Sequence, residues 1–152
     1  MKLKITYAIS MLLFLAFTLK AGDESSLKWH SFDVGLAKAV KENKLVLVDF
    51  YTDWCGWCKK MDATTYSDKK VVEFLNANFV AVKLNPEKEG SVNFQGNKYS
   101  HGEFSAAAGV NGFPATAFFT KNSEFIRTFP GYMDTESFLD LLEKLVEATK
   151  KS

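Results

Sequence analysis

Cysteine is scarce in this chain: there are two in 152 residues, and both fall in one tetrapeptide, Cys55-Gly56-Trp57-Cys58. One close-spaced pair makes a poor structural staple, because the loop-closure entropy it removes from the unfolded chain is small. A reversible, working pair accounts for this usage better. Histidine is equally scarce. His30 and His101 are the two present, and a Cys2His2 zinc site would need both to converge on the cysteines with spacing unlike a zinc finger. No metal or other cofactor is expected. A basic stripe with interleaved aromatics is also missing, which argues against a nucleic-acid surface. Internal repeats and low-complexity linkers are absent, and the length suits one domain with a sizeable core.

The first 21 residues contain no acid. Lys2 and Lys4 form a basic start, Ile5 to Leu19 is mostly apolar, Lys20-Ala21-Gly22 brings small residues, and Asp23-Glu24-Ser25-Ser26 is polar. That layout is a secretory signal. A membrane anchor is the alternative, but the apolar run falls short of the roughly 20 residues a full span needs. No Cys follows the run, which disfavours a lipoprotein anchor. The expected division is a signal peptide over 1–21, cleaved after Ala21 although Leu19 is an imperfect residue upstream, and a single domain over 22–152. Export would place the protein in the periplasm or outside the cell, where disulfides persist. The formal net charge of +1 includes Lys2, Lys4 and Lys20; without them, 16 of the 19 basic residues remain against 18 acidic ones. The mature domain is then slightly acidic, with no stable membrane insertion and a monomeric state expected.

Patterning predicts a first helix capped by Ser31 or Asp33, with Leu36, Ala37 and Val40 on its apolar face. Leu45 to Tyr51 is nearly continuous in apolar residues, as expected of a central strand buried on both faces. A helix starts around Cys55 and another after Ser67-Asp68, burying Val71, Val72, Phe74 and Leu75. Phe79 to Leu84 alternates as a second strand. Pro86 to Ser100 is polar and glycine-bearing and reads as a loop or insertion, and His101 to Val110 as a short helix. Two strands, Ala115 to Thr120 and Glu124 to Phe129, flank a turn at Lys121-Asn122-Ser123. Asp134 caps a last helix whose face is Phe138, Leu141, Leu142, Leu145 and Val146. This order implies an α/β fold, a central mixed sheet with helices on both faces.

The cysteine pair sits between the apolar strand and the basic run Lys59-Lys60-Met61-Asp62. Cys55 would stand at a helix N-terminus, where unpaired N–H groups and the dipole favour an anion. The thiolate is the attacking species in disulfide exchange, so Cys55 is the candidate nucleophile. Cys58, one turn on and more buried, is the candidate resolving thiol. Asp49 is an acid in an apolar strand, costly there unless it has a task or a partner; the plain alternative is a strand-end acid reaching solvent.

The stretch Val48-Asp49-Phe50-Tyr51-Thr52-Asp53-Trp54-Cys55-Gly56-Trp57-Cys58-Lys59 resembles the active-site segment of the thioredoxin superfamily. The run Trp54 to Met61 resembles its exported branch, which includes the soluble thiol-reducing domains of bacterial thiol:disulfide interchange proteins. Gly112-Phe113-Pro114-Ala115-Thr116 is similar to the family's cis-proline segment, Val82-Lys83-Leu84-Asn85 to the strand carrying a lysine near a buried acid, and Gly131 to a glycine lining the substrate groove. The resemblance spans about Ser31 to Ala148. It implies a thioredoxin fold with a cis-proline beside the CxxC helix N-terminus. It also implies Asp49 as proton shuttle for Cys58, coupled to Lys83 unless that lysine is merely a surface residue.

Trp54 then packs beside the site or touches substrate. Gly56 and Trp57 help set redox poise, and Trp57 departs from the family's common proline. Phe113, in place of the commoner threonine or isoleucine, tunes partner choice or belongs to the core. The stretch from about Glu87 to His101 is longer than in a minimal thioredoxin, either a recognition loop or a tolerated insertion. The implied activity is thiol–disulfide exchange with protein substrates, drawing on an upstream thiol electron donor and directed toward reduction, as the resemblance to the exported reducing branch implies. Within the same fold an oxidase or isomerase is the alternative, and outside it a non-catalytic binding module with a structural disulfide.

Overall fold

A period of two along the central strands decides which side chains meet. In the computed structural model, which describes residues 26–150, β1 (Leu45–Phe50) lies between β2 (Phe79–Leu84), parallel to it, and β5 (Ala115–Phe119), antiparallel. With β6 (Phe125–Pro130) outside β5, the order is β2-β1-β5-β6. The expected signal peptide lies outside the described residues.

Alternation sends Val46, Val48 and Phe50 to one face with Val80, Val82, Leu84, Ala115, Ala117 and Phe119. Helix α1 (Phe32–Glu42) and the later helix α4 (His101–Ala107) cover that face through Phe32, Ala39 and Phe104. Leu47 and Phe118 point the other way, against α2 (Gly56–Ala63), α3 (Lys69–Asn78) and α5 (Thr135–Lys150), which contribute Met61, Val71, Leu75, Phe138 and Leu142. Asp49, two residues beyond Leu47, shares this second face. Register completes the argument: Asp49 pairs with Lys83 on β2 and with Thr116 on β5. A buried acid, a lysine and a threonine are thereby placed side by side beneath α2.

Two details differ from expectation. Helix α1 buries Phe32, Gly35 and Ala39, whereas Val40 and Ala37 are exposed. Its phase is set by a close approach to β2: a Cβ at Gly35 would lie 2.2 Å from Val82 Cγ2. Gly35→Ala is therefore expected to lower stability by about 1–2 kcal/mol despite alanine's better helix propensity. Equal or higher denaturation midpoints for the variant would contradict this packing.

The polar stretch after Pro86 is not a bare loop. It forms the hairpin β3 (Ser91–Phe94) and β4 (Asn97–Ser100), turning at Gln95 (φ 50°) and Gly96 (φ 78°). Val92 is buried, and Phe94 packs edge-on against Phe32, Phe104 and Phe119. Short strands with one apolar residue per pleat carry too little hydrophobic signal to stand out from a loop. The helix starts match the capping chemistry. Asp68 accepts from the Lys70 and Val71 amides, Ser100 and Glu103 form a capping box before α4, and Asp134 accepts from the Ser137 amide.

Candidate redox site

Cys55 is the N-cap of α2, and it forms a disulfide with Cys58. The strand ends at Phe50, and Thr52 to Trp54 turn the chain so that the Cys55 amide donates to the Thr52 carbonyl. The Cys58 amide donates to Cys55 Sγ at 3.1 Å. Cys55 thus occupies a helix-capping acceptor position, the place where negative charge is best tolerated. Burial does not distinguish the two residues: Cys55 is 3% exposed and Cys58 is 4% exposed. The expectation that Cys58 is the more buried is therefore corrected. In the disulfide form the sulfurs share one protected position, and the amide contact is what separates them.

Beneath them, Asp49 is 2% exposed. Lys83 Nζ lies 3.3 Å from Asp49 Oδ2 and 2.6 and 2.7 Å from the two oxygens of Asp62, so one cation serves two carboxylates. The same ammonium lies 4.8 and 4.9 Å from the ring centroids of Trp29 and Tyr51. Tyr66 donates to Asp49 Oδ1 at 3.5 Å, and its oxygen is 3.3 Å from Thr116 Oγ1. Burial pushes the Asp49 carboxyl up from 3.8 to about 6; Lys83 opposes the rise and Asp62 adds to it. Burial, then the charge of Asp49, pushes the Tyr66 hydroxyl well above its usual range. Among the described residues, the polar contacts of Asp49 run to Lys83 and Tyr66.

Aromatic side chains flank the disulfide. Trp54, 67% exposed, meets Phe113 edge-on at 6.1 Å and donates its indole N–H to both oxygens of Glu87 at 3.0 Å. Trp57, 57% exposed, lies 5.4 Å from Tyr132, and Lys60 Nζ stands 4.7 and 4.9 Å from these two rings. The Phe113–Pro114 peptide is cis. The Gly131 amide donates to the Pro114 carbonyl at 2.8 Å, with Gly131 itself at φ 87°, where a side chain would be strained. Gly56 is exposed at the helix start.

The structure therefore brings together Asp49 and Lys83, Trp54 and Phe113, and Pro114 and Gly131. Sequence reasoning missed Asp62, Tyr66, Lys60, Glu87 and Tyr132. Asp62 carried one signal, its i+4 spacing from Cys58 on the same helix.

The model of the thioredoxin-like domain family matches residues 32–146, and the chain belongs to that family. Thiol:disulfide interchange protein DsbD of Haemophilus influenzae is 30% identical over 115 residues, covering 73% of this chain and 18% of the relative. Protein disulfide isomerase-like 2-2 of Oryza sativa is 28% identical over 103 residues, covering 68% of this chain and 24% of the relative. The chain thus spans about a quarter or less of these curated relatives. A thioredoxin from Thermus thermophilus shares the fold at a TM-score of 0.66 and 23% identity, with 80% of this chain and 88% of that one covered. Among the described residues, no helix is long and apolar enough to cross a membrane.

Proposed function

We propose that the protein is an exported thiol:disulfide oxidoreductase that reduces disulfides in protein substrates. The observation that carries this reading is the Cys55–Cys58 disulfide at a helix N-terminus with the Cys58 amide aimed at Cys55 Sγ. The Cys55 thiolate attacks one sulfur of a substrate disulfide, forming a mixed disulfide and releasing the other substrate sulfur as a thiolate that takes up a proton. Cys58 loses its proton and attacks Cys55 Sγ. The second substrate thiolate leaves, and the Cys55–Cys58 disulfide forms. Two electrons pass to the substrate, and an upstream dithiol donor returns the pair to its reduced state.

Asp49, held in place by Lys83 and Tyr66, accepts the Cys58 proton. Its charge also supports the reducing direction. Asp49 and Asp62 place two carboxylates around the single ammonium of Lys83 under the site. Negative charge disfavours the thiolate, and a dithiol whose thiolate is less stabilised gives up its electrons more readily. Pro114 and Gly131 form the backbone edge that receives substrate, and Trp54, Trp57 and Phe113 form its walls. The N-terminal basic-apolar layout supports export with cleavage after Ala21, into the periplasm or the medium, as a monomer.

Insulin reduction by the mature domain tests the reading. Catalysed turnover is expected with dithiothreitol as reductant; none with either dithiothreitol or a physiological dithiol donor would leave a binding module with a structural disulfide.

A further inference from the structure

The open end of the sheet carries four chain segments whose lateral order follows the strand order. The β2 end leads into Asn85 to Lys88, the β1 end into Trp54 and Cys55, the β5 start follows Phe113 and Pro114, and the β6 end leads into Gly131 and Tyr132. The Trp54 ring rests edge-on against Phe113 while its indole N–H reaches Glu87 on the β2 side, and Trp57 is held toward the β6 side by Tyr132 and Lys60. The disulfide joins the residues next to these two indoles, so it lies between the two walls.

The walls carry opposite charge. On the β2 side Glu87 is exposed, and Lys88 is paired with Asp53 at 3.3 Å, which leaves the Glu87 carboxylate uncompensated by the neighbouring cation. On the β6 side Lys60 is exposed beside Trp57 and Tyr132, while the acid of that helix, Asp62, is occupied by Lys83. Both walls also offer indole faces, so a peptide gains apolar contact whichever way it lies. Charge then decides its direction.

We propose that this polarised aromatic cleft selects protein segments whose disulfide cysteine has a basic residue on the Glu87 side and an acidic residue on the Lys60 side. The inference rests on the oxidoreductase reading above and adds a substrate class to it. Cation and carboxylate meet the substrate at exposed positions, so each correct pair contributes modestly, about two- to fourfold in rate. A reversed segment loses both attractions and meets two like charges.

The test uses the pre-reduced protein, whose dithiol supplies both electrons, and three homodimeric disulfide peptides of zero net charge. Two have the same composition in opposite order, Lys-Ala-Cys-Ala-Glu and Glu-Ala-Cys-Ala-Lys, acetylated and amidated; the third carries Gln at both outer positions. One charged order is expected to be reduced at least about fivefold faster than the other. In the doubly substituted Lys60→Glu, Glu87→Lys protein the ranking reverses. In 1 M salt, where screening acts over about 3 Å, the ratio falls below about twofold. Equal rates for the two orders with the Gln peptide reduced normally, or an unreversed ranking in the double variant, overturn the inference and leave the activity standing. Failure to reduce all three peptides overturns the activity and the inference together.

Discussion

Replacing Cys58 with Ser is expected to convert turnover into trapping: the variant accumulates a mixed disulfide between Cys55 and its substrate, and catalysis falls at least about 10³-fold. Cys55→Ser loses turnover to the same extent and traps nothing. The asymmetry does not come from exposure, because both residues are almost fully buried in the disulfide form. It comes from the helix end. Cys55 Sγ accepts the Cys58 amide and caps α2, so its thiolate replaces an acceptor that the helix needs. Cys58 lies one turn inside, with its amide committed to the partner sulfur. Mass spectrometry of the variants incubated with oxidised insulin reads the result directly. Equal trapping by Cys55→Ser would overturn the assignment of attacking and resolving thiols.

Asp49→Asn is expected to have two separable effects. The first is on stability. The folded-state pKa of Asp49 is raised, from 3.8 to about 6, so between those values the native protein binds more protons than the unfolded chain. Stability contributed by Asp49 is present in acid and is lost as pH rises through the folded value. From pH 4 to pH 7 the wild type should therefore lose about 2–3 kcal/mol relative to Asp49→Asn, which carries no ionisable group there. Urea melts of both proteins at the two pH values measure the difference, and parallel stabilities would rule out a raised carboxyl pKa at Asp49.

The second effect is on rate. Without the proton acceptor the resolving step slows by about 10²-fold, whereas mixed-disulfide formation in a Cys58→Ser background changes only a few-fold. An unchanged resolving rate would reduce Asp49 to a positioning or electrostatic part. The Lys83–Asp62 pair survives the substitution because both of its hydrogen bonds lie outside Asp49.

Much of this architecture is legible in the residues because the signals are local or strictly periodic. The apolar run at Leu45, the capping residues Asp68 and Asp134, and the cysteine pair opening a helix each depend on a few neighbouring positions. The alternation of β1 and β2 also places Asp49 and Lys83 on one face once their register is known. Other features depend on contacts that no short window contains. Helix α1 takes its phase from Gly35 against Val82, a tertiary contact, so a count of apolar residues chose Val40 in error. The hairpin after Pro86 owes its order to Phe94 reaching Phe104 and Phe119 across the core.

In the site, Glu87, Lys60, Tyr132 and Asp62 are ordinary surface-type residues by sequence. Their meaning arises where four strand ends and one helix converge. Asp62 in particular gains its role by sharing Lys83 with an acid from another element. Trp57 and Phe113, departures from the commoner family residues, were visible in the sequence as tuning positions. What they touch was not: Trp57 lies tilted against Tyr132 with Lys60 over its ring, and Phe113 meets Trp54 edge-on.

Equilibration of the Cys55–Cys58 pair with glutathione buffers reads the direction in which electrons flow. Two carboxylates sharing one ammonium beneath the pair predict a reducing potential, at or below about −230 mV and so toward thioredoxin rather than the oxidases. A potential near about −120 mV, that of a strong oxidant whose reduced form is stabilised, would contradict the account.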